Sequence, residues 1–278
     1  MCRKLLYYAS IFILVAILLV SGIQVAGYVI DALEQKEAYD ELAALVAQSR
    51  AETIPPTEPI PDSTTAQTVP TAPTVPTEPT EPVILQEYAP LYKRNPDIVG
   101  WMKIDGTPIN YPVMQTPDRV DYYLKRNFDG ASSAHGCLYV RETCDVFAPS
   151  DNVTIYGHHM KDGSMFAKLD RFRSQSFWEE NRTIQFDTLY EHHTYTIFAV
   201  FTTTASLGEG FPYHCFENAE DEADFDEFIA TCKELSLYDT GITPVYGDKI
   251  ICLSTCEYDH VNGRLVVAAV RNIDKPNS

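Results

Sequence analysis

The apolar positions of this chain are unevenly spread, and their pattern divides it into four stretches. Leu5–Ile30 holds 26 residues without a charge and contains the apolar run Ile11–Val20. As a helix it is long enough to cross a ~30 Å hydrocarbon core. A cleaved signal peptide has a shorter apolar region ending in a small-x-small site, and Val25-Ala26-Gly27 is a poor one. The run therefore predicts an uncleaved transmembrane anchor. Arg3 and Lys4 precede it and Asp31, Glu34 and Glu37 follow, so residues 1–4 are expected on the cytoplasmic side and the rest of the chain outside. Asp31–Arg50 is rich in Ala, Glu and Leu, without Gly or Pro. Its apolar residues Leu33, Leu42, Leu45 and Val46 follow helical spacing only loosely. It predicts a solvated stalk helix.

Ala51–Val83 differs, because nine of its residues are Pro and nine are Thr. Such a segment cannot bury a core and predicts an extended polyproline II spacer reaching roughly 100 Å at ~3.1 Å per residue. Residues 84–278 are then the globular domain, expected to fold without the first 83.

Within that domain, Tyr88–Asn95 predicts a short helix. The runs Trp101–Ile104 and Pro108–Val113 flank Asp105-Gly106, a hairpin signal. Further strand patterns cover Gly136–Arg141, Asn152–Tyr156, Thr183–Phe186, Tyr195–Thr203, Lys249–Ser254 and Arg264–Arg271. In Glu220–Ser236, Phe225, Phe228, Ile229, Cys232 and Leu235 recur at helical spacing. About eight strands with few helices predict a mainly β fold, a closed β-barrel with peripheral helices.

Charge narrows the function. The chain carries 39 Asp+Glu against 21 Lys+Arg, a net charge of −18. Nucleic-acid binding is excluded as a leading reading, because neutralising phosphates takes a basic face. Neither CxxC nor HExxH occurs, so a metal site has little support. Of seven cysteines, six follow the anchor, and their spacing suggests no disulfide framework.

The most informative geometry lies in the last two predicted strands. If the polar segment Glu257–Gly263 is a hairpin loop, Cys256 closes one strand and Arg264 opens its antiparallel neighbour. Opposed residues share a face with Cβ atoms ~5 Å apart, and a permanent positive charge there favours a thiolate. A buried, inert Cys256 is the plain alternative. A nucleophilic thiol also needs a proton carrier. His158 and His159 end the strand-like run Val153–Tyr156 at a glycine turn, whereas His192, His193, His214 and His260 read as ordinary surface residues.

Leu253-Ser-Thr-Cys256 followed by Arg264, with Tyr156-Gly-His158 upstream, resembles the sortases. Asn95-Pro-Asp-Ile-Val-Gly-Trp-Met, Ile109-Asn-Tyr-Pro-Val-Met-Gln, Tyr123-Leu-Lys-Arg-Asn-Phe and Tyr156-Gly-His-His-Met-Lys-Asp-Gly-Ser-Met-Phe narrow the resemblance to class B, as does the helix before the cysteine strand. It spans Tyr88 to the C-terminus. Cys252 replaces the usual first Thr of Thr-Leu-Ser-Thr-Cys, and Thr116–Tyr122 departs from the usual pattern.

The resemblance implies a membrane-anchored cysteine transpeptidase on the outside of a Gram-positive cell. Such an enzyme cleaves secreted proteins within a C-terminal sorting signal, after Thr, and joins them to an amine of a peptidoglycan precursor. Cys256 is implied as nucleophile, His158 as general acid/base and Arg264 as oxyanion stabiliser. Ser254, Glu257 and Leu124 are implied as substrate contacts, and no metal or organic cofactor is required. Signals of the Asn-Pro-x-Thr-Asn or Pro-x-Thr-Gly type are implied. A pilin polymerase using a Lys amine, a Cys–His protease and a non-catalytic surface-binding module are the alternatives.

Overall fold

A computed structural model describes residues 2–53, 82–206, 208–256 and 262–272. Eight strands form one closed barrel: β1 (Ile98–Lys103), β2 (Asn110–Met114), β3 (Leu138–Val140), β4 (Asn152–Tyr156), β5 (Thr183–Thr188), β6 (Thr194–Thr204), β7 (Ile250–Cys256) and β8 (Gly263–Arg271), in the order β1-β2-β3-β4-β7-β8-β6-β5. β2–β3 and β4–β7 are parallel, and the other pairs are antiparallel. Closure leaves no exposed sheet edge.

Among the described residues four α-helices accompany the barrel: α1 (Cys2–Thr53), α2 (Ala89–Arg94), α3 (Gln175–Glu180) and α4 (Glu222–Leu235). The predicted hairpin is present, with Lys103 paired to Asn110. Gly106 turns it at φ +73°, where a Cβ would collide with Asn181 Oδ1.

Strand alternation makes two apolar layers. Ile251 and Leu253 of β7 and Leu265, Val267 and Ala269 of β8 join the main core. Their neighbours Cys252, Val266 and Ala268 face outward into a second layer. There α4 covers them with Phe225, Phe228, Ile229 and Cys232, while Leu235, expected on that face, is exposed. The Asp221 side chain caps α4 by accepting from Asp224 N at 3.0 Å.

Residues 167–180, for which the sequence pattern offers no element, hold a 3-10 helix (Ala167–Arg173) and α3. Phe166, Leu169 and Phe172, all buried, recur every third residue, which is the period of that tighter helix.

One expectation is corrected, that for the helix after the apolar run, which is part of α1. Its apolar half exposes Phe12, Leu14, Leu18 and Ile23, and among the described residues it is the one helix long and apolar enough to cross a membrane. Its polar half is not a solvated stalk. Tyr39, Leu42 and Val46 are buried in the main core cluster. Arg50 meets Asp187 at 2.6 Å, Glu87 at 3.2 Å and the Tyr88 hydroxyl at 2.6 Å. Three apolar side chains among polar ones, aimed at one surface, are enough to seat the helix. Each fully buried one stabilises by ~1.5–3 kcal/mol. The packed body therefore begins before residue 84. Of the predicted spacer, residues 54–81 lie outside the described residues.

Candidate active site

The strand register assembles the site at one end of the barrel. β7 and β8 pair antiparallel, and their last matched residues are Cys256 and Arg264. Cys256 continues the alternation of Cys252 and Ser254, and Arg264 that of Val266 and Ala268, so both belong to the outward face at the margin of the α4 layer. The expected opposition of thiol and guanidinium is thus present in the backbone register.

β4 runs parallel to β7 on the other side, with Tyr156 level with Ser254. Gly157 N donates to Ser254 O at 3.1 Å, extending the ladder past the end of the strand. Carried two residues past the end of β4, that register sets His158 level with Cys256. His158, just beyond β4, thus joins Cys256 and Arg264 in a row at one end of three neighbouring strands, although they are up to 106 residues apart in sequence.

Each side chain in the row is held. His158 Nε2 lies 2.7 Å from Leu124 O. A carbonyl only accepts, so Nε2 carries a proton and Nδ1 is the nitrogen left for proton exchange. Arg264 Nη1 donates to Gly263 O at 3.0 Å and more weakly to Asn262 O at 3.4 Å, which folds the guanidinium back over the start of β8. Cys256 is half-buried, whereas Cys137, Cys144, Cys232 and Cys252 are buried and Cys215 is exposed, all as free thiols. Burial pushes the Cys144 thiol up to about 11, that of Cys137 up to about 12, and that of Cys252 well above its ordinary value.

The remaining sequence candidates fall in different places. Ser254 is 1% exposed and its hydroxyl shares a 2.6 Å hydrogen bond with Tyr213 OH, so it lies beneath the row rather than on its surface. Burial raises the Tyr213 phenol to about 12. Leu124 is half-buried, and its carbonyl is the group that touches His158. Glu257 and His260 lie outside the described residues. His192 pairs with Asp187 at 2.9 Å and Glu87 at 3.3 Å, away from the row.

Three contacts go beyond the sequence expectations. His159 Nδ1 lies 3.0 Å from Cys256 O while Nε2 lies 3.3 Å from Asp170 Oδ2, so its ring ties the end of β7 to the 3-10 helix. Tyr213, from a short 3-10 turn, supports Ser254. His214, expected to be an ordinary surface residue, is half-buried, and burial followed by the Arg141 and Arg264 charges lowers its basicity. His159 had a visible signal in its adjacency to His158. The other two had none, because their loop reaches the site only through the tertiary fold.

A half-buried thiol, an imidazole held through one nitrogen and a guanidinium, set in a row, suit acyl transfer. The comparisons agree. The sortase-domain family model matches residues 102–272. Sortase B of Listeria monocytogenes is 34% identical over 188 residues, covering 66% of this chain and 73% of that protein. Sortase B of Staphylococcus aureus is 32% identical over 185 residues, with the same coverage of each. The crystal structure of sortase B from Bacillus anthracis superposes with a TM-score of 0.67 at 31% identity, covering 87% of this chain and 98% of that one. On these grounds the chain belongs to the sortase family, within class B, and its members are cysteine transpeptidases.

Proposed function

We propose that this cysteine transpeptidase cleaves the C-terminal sorting signal of secreted proteins after a threonine and passes the acyl group to an amine of the peptidoglycan precursor, anchoring the protein to the cell wall. The row His158–Cys256–Arg264 carries the reading. As it attacks the threonine carbonyl carbon, the Cys256 thiol gives its proton to His158, and Arg264 offers its planar fork of donors to the oxygen as charge develops. Collapse of the tetrahedral intermediate breaks the C–N bond, and the departing amine takes a proton from His158. A thioester to Cys256 remains. The incoming amine gives a proton to His158 as it attacks, and the departing sulfur takes that proton back, which restores the thiol and the imidazole. The Leu124 carbonyl holds Nε2–H throughout, so Nδ1 is the nitrogen that takes and returns the proton. Ser254 supports the end of β7 through Tyr213, and Glu257 and Leu124 border the substrate.

Residues 5–30 anchor the enzyme in the cell membrane with residues 1–4 cytoplasmic and the barrel outside, where exported substrates and lipid-linked precursors both arrive. Residues 31–50 belong with the catalytic domain, seated on it by Tyr39, Leu42 and Val46.

The test is mass spectrometry of the full chain in detergent micelles, incubated with peptides of the Asn-Pro-x-Thr-Asn and Pro-x-Thr-Gly types and a peptidoglycan-like amine. A thioacyl adduct on Cys256 and an amide product that grows with amine concentration are expected. Hydrolysis unaffected by amine would make the protein a protease. Amide formation only with a pilin lysine would make it a polymerase. Absence of any adduct would leave a binding module.

A further inference from the structure

Residues 135–137 lie between the anchor helix and the support of the candidate acid/base, and nothing in the mechanism above uses them. On one side they meet α1. Tyr39 OH donates to Gly136 O at 2.6 Å, and His135 Nδ1 lies 3.2 Å from Asp31 Oδ2. Asp31 is the first charged residue after the apolar run. Tyr28, one turn earlier on α1, stacks against the His135 ring at 6.1 Å.

On the other side they meet what holds His158. Gly136 adopts φ +60°, and a Cβ there would collide with Leu124 O and lie 2.7 Å from Tyr123 O. The Cys137 amide donates to Tyr123 O at 3.0 Å. Gly136 is thus pressed against the carbonyl that accepts from His158 Nε2. His135 also reaches the loop that follows His158: its Nε2 lies 2.9 Å from Asp162 Oδ2. The other Asp162 oxygen accepts from Ser164 N at 2.9 Å and Ser164 Oγ at 2.6 Å. Burial opposes ionisation of Asp162, but the bonds from Ser164 and His135 hold its carboxyl below the ordinary range. His135 itself is 2% exposed. Both of its nitrogens face carboxylates, one on the anchor and one on the histidine loop.

We propose that the anchor helix is a working part of the active site: through Tyr39 and His135 it braces Gly136 and Asp162, and so fixes the position of His158. Tyr39 and His135 are positioning residues, acting through the Leu124 carbonyl and the Asp162 loop. This rests on His158 being the acid/base. Where the hydroxyl bond from α1 is lost, Gly136 and the Leu124 carbonyl gain freedom and His158 loses its fixed aim. A misplacement of ~1 Å in a reacting group costs up to ~100-fold in rate.

The experiment uses the full chain in detergent micelles, comparing wild type with Tyr39→Phe and His135→Gln, two changes that keep the ring or the approximate volume. Active sites are counted by alkylation of Cys256, and turnover is expressed per counted site. We expect kcat to fall about tenfold in each variant with KM within about twofold. The His158 Nε2–H resonance of 15N-histidine-labelled protein should exchange with water faster than in wild type. Unchanged kcat in both variants overturns the proposal. A fall in kcat with an unchanged His158 resonance also overturns it, because the loss would then be general weakening of the fold. Cys256→Ala and His158→Ala run alongside: turnover surviving in either would sink the catalytic reading itself, independently of Tyr39 and His135.

Discussion

Cys252 and Cys256 sit on one strand and one face, four residues apart, yet they occupy different chemical surroundings. Cys252 is fully buried between Ala268 and the α4 layer, with Cys232 nearby, and burial drives its thiol far above the ordinary range. Cys256 is at the strand end, outside that buried cluster, half-buried and opposite Arg264. Side-chain parity assigns them the same face, and position along the strand separates them. A barrel with an outer helical layer thus buries one thiol in its middle and leaves another half-buried at its rim, using a single alternation.

The sharpest way to break that contrast is to remove each thiol's function in turn. Cys256→Ala is expected to abolish thioacyl formation and peptide cleavage, a loss of roughly a thousandfold or more, read by mass spectrometry and a fluorogenic peptide. Residual cleavage would move the nucleophile elsewhere.

The next largest effect concerns the partner across the strand pair. Arg264→Lys keeps a positive charge but loses the planar fork of donors, and removing an oxyanion donor costs ~100–1,000-fold in kcat. We expect a loss near the lower figure, with circular dichroism and melting temperature close to wild type. Near-normal turnover in the Lys variant would show that charge alone serves, or that Arg264 only closes the hairpin loop.

How much of this was legible beforehand follows from what each feature needs. The Cys256–Arg264 opposition was readable because a hairpin is local, and because Ile250–Thr255 and Leu265–Val270 are uninterrupted runs on either side of a polar loop. The α4 face was readable because Phe225, Phe228, Ile229 and Cys232 keep the helical period. His158 was found as a type of residue at a turn, but its level with Cys256 depends on a parallel pairing between strands 98 residues apart in register. The docking of α1 was hidden, since Tyr39, Leu42 and Val46 are sparse among charges and their partner surface exists only once the barrel has closed. The Leu124 carbonyl and the Gly136 contact were invisible, because backbone atoms leave no mark in side-chain chemistry. The 3-10 stretch was hidden because its three-residue period is not that of an α-helix.

Alkaline conditions sharpen the contrast between buried and rim thiols. Cys137 and Cys144 have folded-state values raised to about 12 and about 11 by burial, against ~8.5 in an unfolded chain. Above pH ~8.5 the unfolded chain gives up thiol protons that the folded one retains, so stability falls as pH rises. Their contribution is fully present below pH ~8.5 and is lost progressively towards about pH 11 to 12. Buried tyrosines such as Tyr195 and Tyr213, raised to about 12, act in the same direction from about pH 10. We expect the urea midpoint to drop between about pH 8.5 and about pH 10.5, and to drop less in Cys144→Ala, measured relative to its own value at about pH 7. A midpoint flat across that window would mean that these thiols are not shielded as the structure has them.

The smallest effect expected is also the most discriminating between the two cysteines. Cys252→Thr restores the residue usual in the family at that position, and its cost depends on the hydroxyl. Threonine is β-branched and suits the strand, and its volume is close to that of cysteine. The hydroxyl, however, enters a layer built from Phe225, Phe228, Cys232 and Ala268, and an unpaired buried hydroxyl costs ~1–3 kcal/mol. Thr154, level with Cys252 across the β4–β7 pair, offers a neighbouring oxygen, and Asn152 Nδ2 already reaches Thr154 Oγ1 at 3.5 Å. An introduced hydroxyl that joins this cluster regains a partner, so we expect the stability loss to stay near ~1 kcal/mol, read from urea denaturation. Turnover per alkylatable Cys256 should remain within about twofold of wild type, because Arg264, His158 and the Leu124 carbonyl are untouched. A loss of about 3 kcal/mol with normal turnover per site would show that the hydroxyl finds no partner, while the separation of the two thiols stands. A normal fold with turnover lowered about a hundredfold would show instead that Cys252 takes part in the chemistry, and the distinction between the middle and the rim of β7 would have to be given up.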